Sequence, residues 1–328
     1  MNILVVGDPH FKVNNIKDTQ CMSNEIIRIA KEKVPDMIVV LGDVLDTHEQ
    51  INMLAYNNAI SLLRQLQDLA PLYVLIGNHD RINNQVFLTD QHVFGALHYW
   101  NNTTIVHTTI RVVLNGYTFV LVPYVPNGRF HEALDMVEWK DADIIFAHQE
   151  FKGASLGAKK SIHGDLWSLD NPYVISGHIH DFAQLQPNLL YTGVPIQHRY
   201  AESDDKCIVL FDVKTKTYEK LPLNVRRKKI IHLTVGDINK YQLDDTVDAK
   251  IVITCKSTDI KMLTKHPKLE QWRSNGAKVF YKNITKKVKP DSITNKEFII
   301  TPNDKFIDLL HHNVKDTTLI NTYNELFT

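Results

Sequence analysis

The run Met37-Ile38-Val39-Val40-Leu41-Gly42-Asp43-Val44-Leu45-Asp46 carries the reading of this chain. Its first five residues are apolar and mostly branched, which is strand-sized and suits a strand buried on both faces. A glycine ends the run and a carboxylate follows at the turn. Glycine lets the backbone bend sharply and approach a neighbour closely. The same grammar recurs along the chain. Ile3 to Val6 runs into Gly7-Asp8-Pro9-His10, and Leu72 to Ile76 into Gly77-Asn78-His79-Asp80. Ile144 to Ala147 ends in His148-Gln149, and Tyr173 to Ser176 in Gly177-His178-Ile179-His180. Carboxyl ends of strands in layered α/β folds face a common crevice, so clusters distant in sequence can converge there.

Working outward, helical patterns around 19–33, 52–69 and 86–99 lie between the early strands, which argues for an α/β fold. Thr118 to Val122 and Cys207 to Val213 add strands with fewer helices between, as expected of a second sheet packed on the first. A break falls at Arg226-Arg227-Lys228-Lys229. Beyond it the pattern predicts strands at Ile230 to Val235, Ala249 to Thr254 and Lys278 to Tyr281, with a helix from Thr258 to Asn275. The expected organisation is a main domain over 1–225, a basic α+β module over 226–300 and an amphipathic helical segment over 301–328.

The chain has 328 residues, 44% hydrophobic and 23% charged, enough apolar content for a real core and too much for disorder. No apolar run approaches the roughly 18 residues that span a bilayer. Asp8 and His10 directly follow the first apolar run, which argues against a signal peptide. Cys21, Cys207 and Cys255 are too scattered for a disulfide framework or a zinc clip, so a reducing cytosol is expected. The net charge of zero hides an asymmetry. Residues 214–300 hold 20 lysines and arginines against 9 acids, a net of +11, and the rest of the chain carries −11. A basic module of this kind suits a polyanion such as nucleic acid, or is simply a solvated lysine-rich face.

The residues able to converge are Asp8, His10, Asp43, Asn78, His148, His178 and His180. This mixed oxygen and nitrogen set suits manganese, iron or zinc better than calcium. Seven ligands exceed one ion, whereas two ions sharing Asp43 would each keep open positions. A close pair of cations can ionise a bridging water and neutralise phosphoryl charge during in-line attack. Taken singly, Asp-x-His or a lone His148 is weak evidence, since polar side chains of this kind are common in loops. All five clusters, each at a strand end, point to a dinuclear centre.

This ordered set resembles the calcineurin-like metallophosphoesterases, and within them the SbcD-type DNA-repair nucleases, including compact phage versions. Gly42-Asp43-Val44-Leu45-Asp46 is similar to the nuclease form of the second motif. Tyr191-Thr192-Gly193-Val194-Pro195, followed by Tyr200-Ala201-Glu202, is similar to a segment of that branch, although Val194 replaces a small hydroxyl residue. The resemblance implies a four-layer α/β fold, two packed mixed β-sheets flanked by helices, with a small α+β capping domain. It implies one ion on Asp8, His10, Asp43 and His180 and another on Asp43, Asn78, His148 and His178. His79 would then be the catalytic histidine and Asp80 its orienter. Two divalent ions are implied, manganese above all. DNA is the implied substrate, with an SMC-like ATPase of the SbcC type as partner. A homodimer through helices near 52–69 and 86–99 and a cytoplasmic location, the host's if phage-encoded, are also implied. His48, Arg81, Lys159, Lys160, Arg226 and Arg227 are candidate phosphate contacts, as are Lys152 and His163, with simple exposure the alternative for each. For His48 the surface reading is preferred. The competing functions are a generic phosphomonoesterase or cyclic-nucleotide phosphodiesterase, and a non-catalytic scaffold. Asp80 in place of a glutamate, and the lack of an Asp-Arg-Gly ending, argue against a protein phosphatase. A scaffold would have lost ligands, and none is missing.

Overall fold

A computed structural model describes residues 1–284, except Thr47, Glu49 and Ala158. The expected C-terminal helix and the end of the basic module lie outside the described residues. The first part of the chain runs β1 (Asn2–Val6), α1 (Ile16–Lys33), β2 (Met37–Val40), α2 (Met53–Gln67), β3 (Leu72–Leu75) and β4 (Thr103–Val106). Then come β5 (Ile110–Leu114), β6 (Tyr117–Val122), α3 (Phe130–Leu134), β7 (Ile144–Ala147), β8 (Ser155–Leu156) and β9 (Lys159–Lys160). Next are β10 (Tyr173–Ser176), β11 (Ala183–Gln186), β12 (Leu189–Tyr191), β13 (Ile208–Asp212) and β14 (Thr217–Leu221). The basic region forms β15 (Arg227–Thr234), β16 (Val247–Cys255), α4 (Ile260–Leu263), α5 (Pro267–Ser274) and β17 (Lys278–Asn283).

Two six-stranded mixed sheets dominate, ordered β14-β13-β1-β2-β3-β4 and β11-β12-β10-β7-β6-β5. Their centres are parallel, and β13, β14, β11 and β5 pair antiparallel toward the edges. One apolar cluster joins the facing sheets: Ile3, Val5, Met37 and Val39 from one, Phe119, Ile144, Phe146 and Ile175 from the other. The outer face of the first sheet packs on α1 and α2 through Leu4, Ile26, Ile38, Leu63 and Leu66. The outer face of the second packs on α3 and aromatic loop residues through Val120, Phe130, Phe151, Trp167 and Val174. The strands are buried on both faces because helices or loops cover each sheet, which is why they read as unbroken apolar runs. The α/β fold of two packed mixed sheets flanked by helices is therefore the one expected.

Register positions the site. Val6 pairs with Val40 and Val40 with Val74, so β1, β2 and β3 end level. Ser176 pairs with Ala147 and Ala147 with Val122, so β10, β7 and β6 do too. The loops that follow open on one edge.

Two expected helices differ. Residues 86–94 turn irregularly, and only a 3-10 turn, Gly95–Tyr99, forms there. The apolar residues of that stretch serve two cores: Phe87 and Leu88 pack with the outer face of the second sheet, Val93 and Phe94 with the first. A single helix cannot face both. The helix expected over Thr258 to Asn275 is split. Pro267 has no N–H to continue it and instead opens α5, with the His266 side chain as its N-cap.

The β15-β16-β17 sheet is parallel and carries its own apolar cluster, Ile251, Ile253, Leu263, Leu269 and Trp272 among it. Its seam with the rest of the chain is polar. Lys228, buried, bonds Asp18 and Asp248, and Gln197 bonds the Lys228 N–H (2.7 Å) and carbonyl (3.2 Å). Among the described residues no helix is long and apolar enough to cross a membrane. Cys21 is exposed, Cys207 and Cys255 are buried, and all are free.

Candidate metal centre

All seven candidate ligands sit on the loops that leave the level strand ends. His10, Asp43 and His178 hold φ of 46°, 44° and 74°, a left-handed conformation uncommon for non-glycine residues. Glycines make the approach possible. A Cβ on Gly77 would lie 2.2 Å from Asp43 Oδ1, and one on Gly177 would lie 2.4 Å from Asp8 Oδ1.

The donors gather in two groups, Asp8, His10 and His180, and Asp43, His148 and His178; within each, one ligand atom per residue lies within 4.8 Å of the others. Asp8, Asp43 and His148 are almost fully buried. His148 Nδ1 faces the Leu41 carbonyl at 2.9 Å, so it carries the ring proton and Nε2 presents a lone pair. That lone pair meets Asn78 Oδ1 at 3.0 Å, His178 Nδ1 at 3.3 Å and Asp43 Oδ2 at 3.4 Å. In the other group, His10 Nε2 and His180 Nε2 approach to 3.1 Å. Asp8 Oδ1 and His10 Nδ1 are buried without a hydrogen-bond partner. Acceptors crowded on acceptors, with orphaned buried atoms among them, ask for positive charge. Without a cation only a proton can supply it. Burial opposes charge on His148, yet Asp43 and Asp8 raise it to about 9. Burial pushes the Asp8 carboxyl up to about 7 and holds His178 down to about 3. The donor set therefore fits divalent cations.

Other side chains hold the donors in place. Asp8 Oδ2 accepts from the His178 N–H (2.8 Å) and Asp43 Oδ1 from the His79 N–H (2.8 Å). Glu202 sits 3.5 Å from His180 Nδ1, and buried Lys206 donates to the His180 carbonyl at 2.7 Å. His198 packs its ring 5.1 Å from that of His10. Sequence reading passed over His198 and Lys206. No glycine turn flags them, and their value lies in contacts made across the fold.

His79 stands at the crevice with Nε2 3.8 Å from Asp43 Oδ2. Its Nδ1 donates to the Asp46 carbonyl at 2.8 Å. Asp80 does not do this orienting, contrary to expectation. Its carboxylate is consumed by the N–H groups of Gly77 (3.1 Å), Val44 (3.2 Å) and Leu45 (3.0 Å), so it shapes the loops and not the ring. His48, expected at the surface, stacks on His79 with centroids 4.3 Å apart.

One further expectation changes, that for Arg81. Arg81 is buried, bonding the Tyr124 carbonyl (2.8 Å) and the Val86 carbonyl. Arg226 donates to the Val247 carbonyl (2.9 Å) and Arg227 to the Asp204 carbonyl. The buried Arg81 guanidinium is spent on the protein's own backbone, since a buried carbonyl needs a donor, whereas exposed Arg226 and half-buried Arg227 each commit one donor and keep the others. Lys159 and Lys160 are exposed on the β8–β9 hairpin, whose Ser155 and Leu156 line a cleft with His178, His180 and Arg199. Lys152 and His163 are exposed on nearby loops.

Residues 1–182 match the family described as calcineurin-like phosphoesterase, a span that holds all seven donors. This chain belongs to the calcineurin-like phosphoesterases. Members of this metallophosphoesterase family use divalent metals, in keeping with the two donor groups. The chain is 40% identical to "Putative phosphoesterase 244L" of Invertebrate iridescent virus 6, over 78% of this chain and 94% of that one. It is 36% identical to "Putative phosphoesterase 078R" of Invertebrate iridescent virus 3, over 97% and 93%. Among solved structures, TT1561 of Thermus thermophilus aligns at 12% identity over 68% of this chain and 98% of that one, with a TM-score of 0.43.

Proposed function

We propose that this phosphoesterase is a manganese-dependent DNA nuclease, cutting phosphodiester bonds by exonuclease and endonuclease action. The observation that carries the reading is an open crevice. Clefts of about 310, 410 and 410 Å³ adjoin His79, then Asp46 with His198, then His178 with His180. A site approached from several sides suits a strand that continues past the bond to be cut. Lys12 and Arg199 line two of these clefts and suit flanking phosphates. The excess of 20 basic over 9 acidic residues in 214–300 supports a polyanionic substrate.

When bound, two divalent ions supply water activation and charge neutralisation. Asp8, His10 and His180 would hold one, His148, Asn78 and His178 the other, with Asp43 between. With His79 Nδ1–H held by the Asp46 carbonyl, Nε2 is the nitrogen that serves the leaving oxygen, and a proton on it is transferred there. His48, stacked on that ring, limits its tilt. Iron or zinc suits the same donors. An SbcC-type ATPase, a homodimer and a cytoplasmic site of action belong to this reading through the resemblance.

One observation favours a second reading, a phosphoesterase for smaller esters. Arg226, Arg227 and Lys228 are all engaged within the chain, which thins the basic surface left for DNA. The test is direct. Purified protein with manganese is offered labelled duplex DNA, single-stranded DNA and a small phosphate ester. Cleavage of DNA is expected; activity on the ester alone selects the second reading.

A further inference from the structure

A second group of imidazoles stands apart from the seven donors. His92 precedes the 3-10 turn Gly95–Tyr99, His98 lies on it, and His107 follows β4. One ring nitrogen from each lies within 4.8 Å of the other two. The ring centroids are 4.8 to 5.5 Å apart. His92 Nε2 and His107 Nδ1 are buried without a hydrogen-bond partner. Burial and the neighbouring imidazoles lower His92 to about 4, and burial lowers His107 too, so both stay neutral and keep lone pairs at neutral pH. Asp90, which adjoins His92, places negative charge by both rings.

We propose that His92, His98 and His107 form a zinc site distinct from the phosphoesterase centre. Three imidazoles with Zn–N of about 2.0–2.1 Å make a tetrahedral site whose fourth position is left for water or Asp90. The nitrogens need to close by roughly an ångström, because tetrahedral ligands at that length sit about 3.4 Å apart. Exposed His98 on its short turn has room to make the move. Ligation through His92 Nε2 moves that ring's proton to Nδ1 and opens the long 3.2 Å contact from the Phe94 N–H. The site has a mechanical consequence. Arg81 and His92 form a bridge, Val93 N–H donates to the Asp80 carbonyl at 3.0 Å, and His92 and Val93 line one cleft with His79. Zinc clips this wall of the catalytic cleft to the end of β4.

The full-length protein, stripped by chelator and reloaded with zinc, is compared with His98→Gln and His107→Gln. The parent is expected to retain one more zinc per chain than either variant, whatever the main centre holds. Equal zinc content overturns the site. Cobalt(II) loading gives a second readout: a parent-minus-variant spectrum of tetrahedral, nitrogen-bound cobalt is expected, and superimposable spectra overturn it. With free zinc at about ten times its Kd, the clipped form is favoured about elevenfold, so exchange at the Val93 amide slows by that factor more in the parent than in the variants. Equal slowing overturns the clip. If neither variant folds, the His98 and His107 ring resonances of the parent decide; zinc that leaves them unshifted refutes the proposal.

Discussion

At the scale of single residues, the centre is built from backbone conformations that the chain adopts at a cost. Left-handed φ at a non-glycine residue costs about 1–3 kcal/mol, and His10, Asp43 and His178 each carry it. Glycine is normally the poorer choice for stability. At position 178 that order should reverse, with His178→Gly more stable than His178→Ala by about 1 kcal/mol in metal-free denaturant titrations. Both variants should lose hydrolysis, read in the same preparations reloaded with metal. His79→Ala should keep its metal content and lose most turnover, about 100-fold or more, as shown by metal analysis beside kinetics. Gly77→Ala should lose both, because its new Cβ would overlap the Asp43 carboxylate. The donors were legible in the sequence because all sit at strand ends, and glycine turns mark every one but His148. The roles of Asp80, Arg81 and His48 were not. Whether a carboxylate meets a ring or three backbone N–H groups is decided by loops brought together across the fold.

At the scale of elements, the central strands of the two sheets were legible almost to the residue, since burial on both faces leaves an unbroken apolar run, whereas β4, β5, β8, β9, β11, β12 and β14 were not, being short or mixed with polar residues. Helices were less so where one apolar stretch serves two cores, as between Val86 and Leu97, or where Pro267 breaks a periodic pattern. Where an amphipathic helix has one partner, sequence and structure agree. Leu63 of α2 is fully buried against the first sheet. Leu63→Ala should cost about 2–5 kcal/mol, read as a lower urea midpoint with an unchanged slope.

At the scale of the whole described body, the polar seam under the β15-β16-β17 sheet sets a pH window. Burial opposes charge on Asp248, but the Tyr200 hydroxyl and Lys228 hold its carboxyl lowered. Its contribution is complete above the unfolded value of about 3.9 and is lost as pH falls through the lower folded value. Burial also opposes charge on Lys228, but Asp18 and Asp248 hold it raised. That contribution is complete below about 10.4 and is lost as pH rises through the folded value. The seam is therefore steady between those limits. Lys228→Met should lower stability across the window and remove this source of the alkaline loss, followed by unfolding midpoints against pH.

The segment from Gln197 to Glu202 has hands at both ends. Gln197 and Tyr200 grip the small sheet, at Lys228 and Asp248, while Glu202 reaches the ring of His180. Rocking the small sheet would pull through this segment, as through a crank, on an imidazole of the candidate metal centre. A load bound to the small sheet would therefore have a short bonded route to the metal donors.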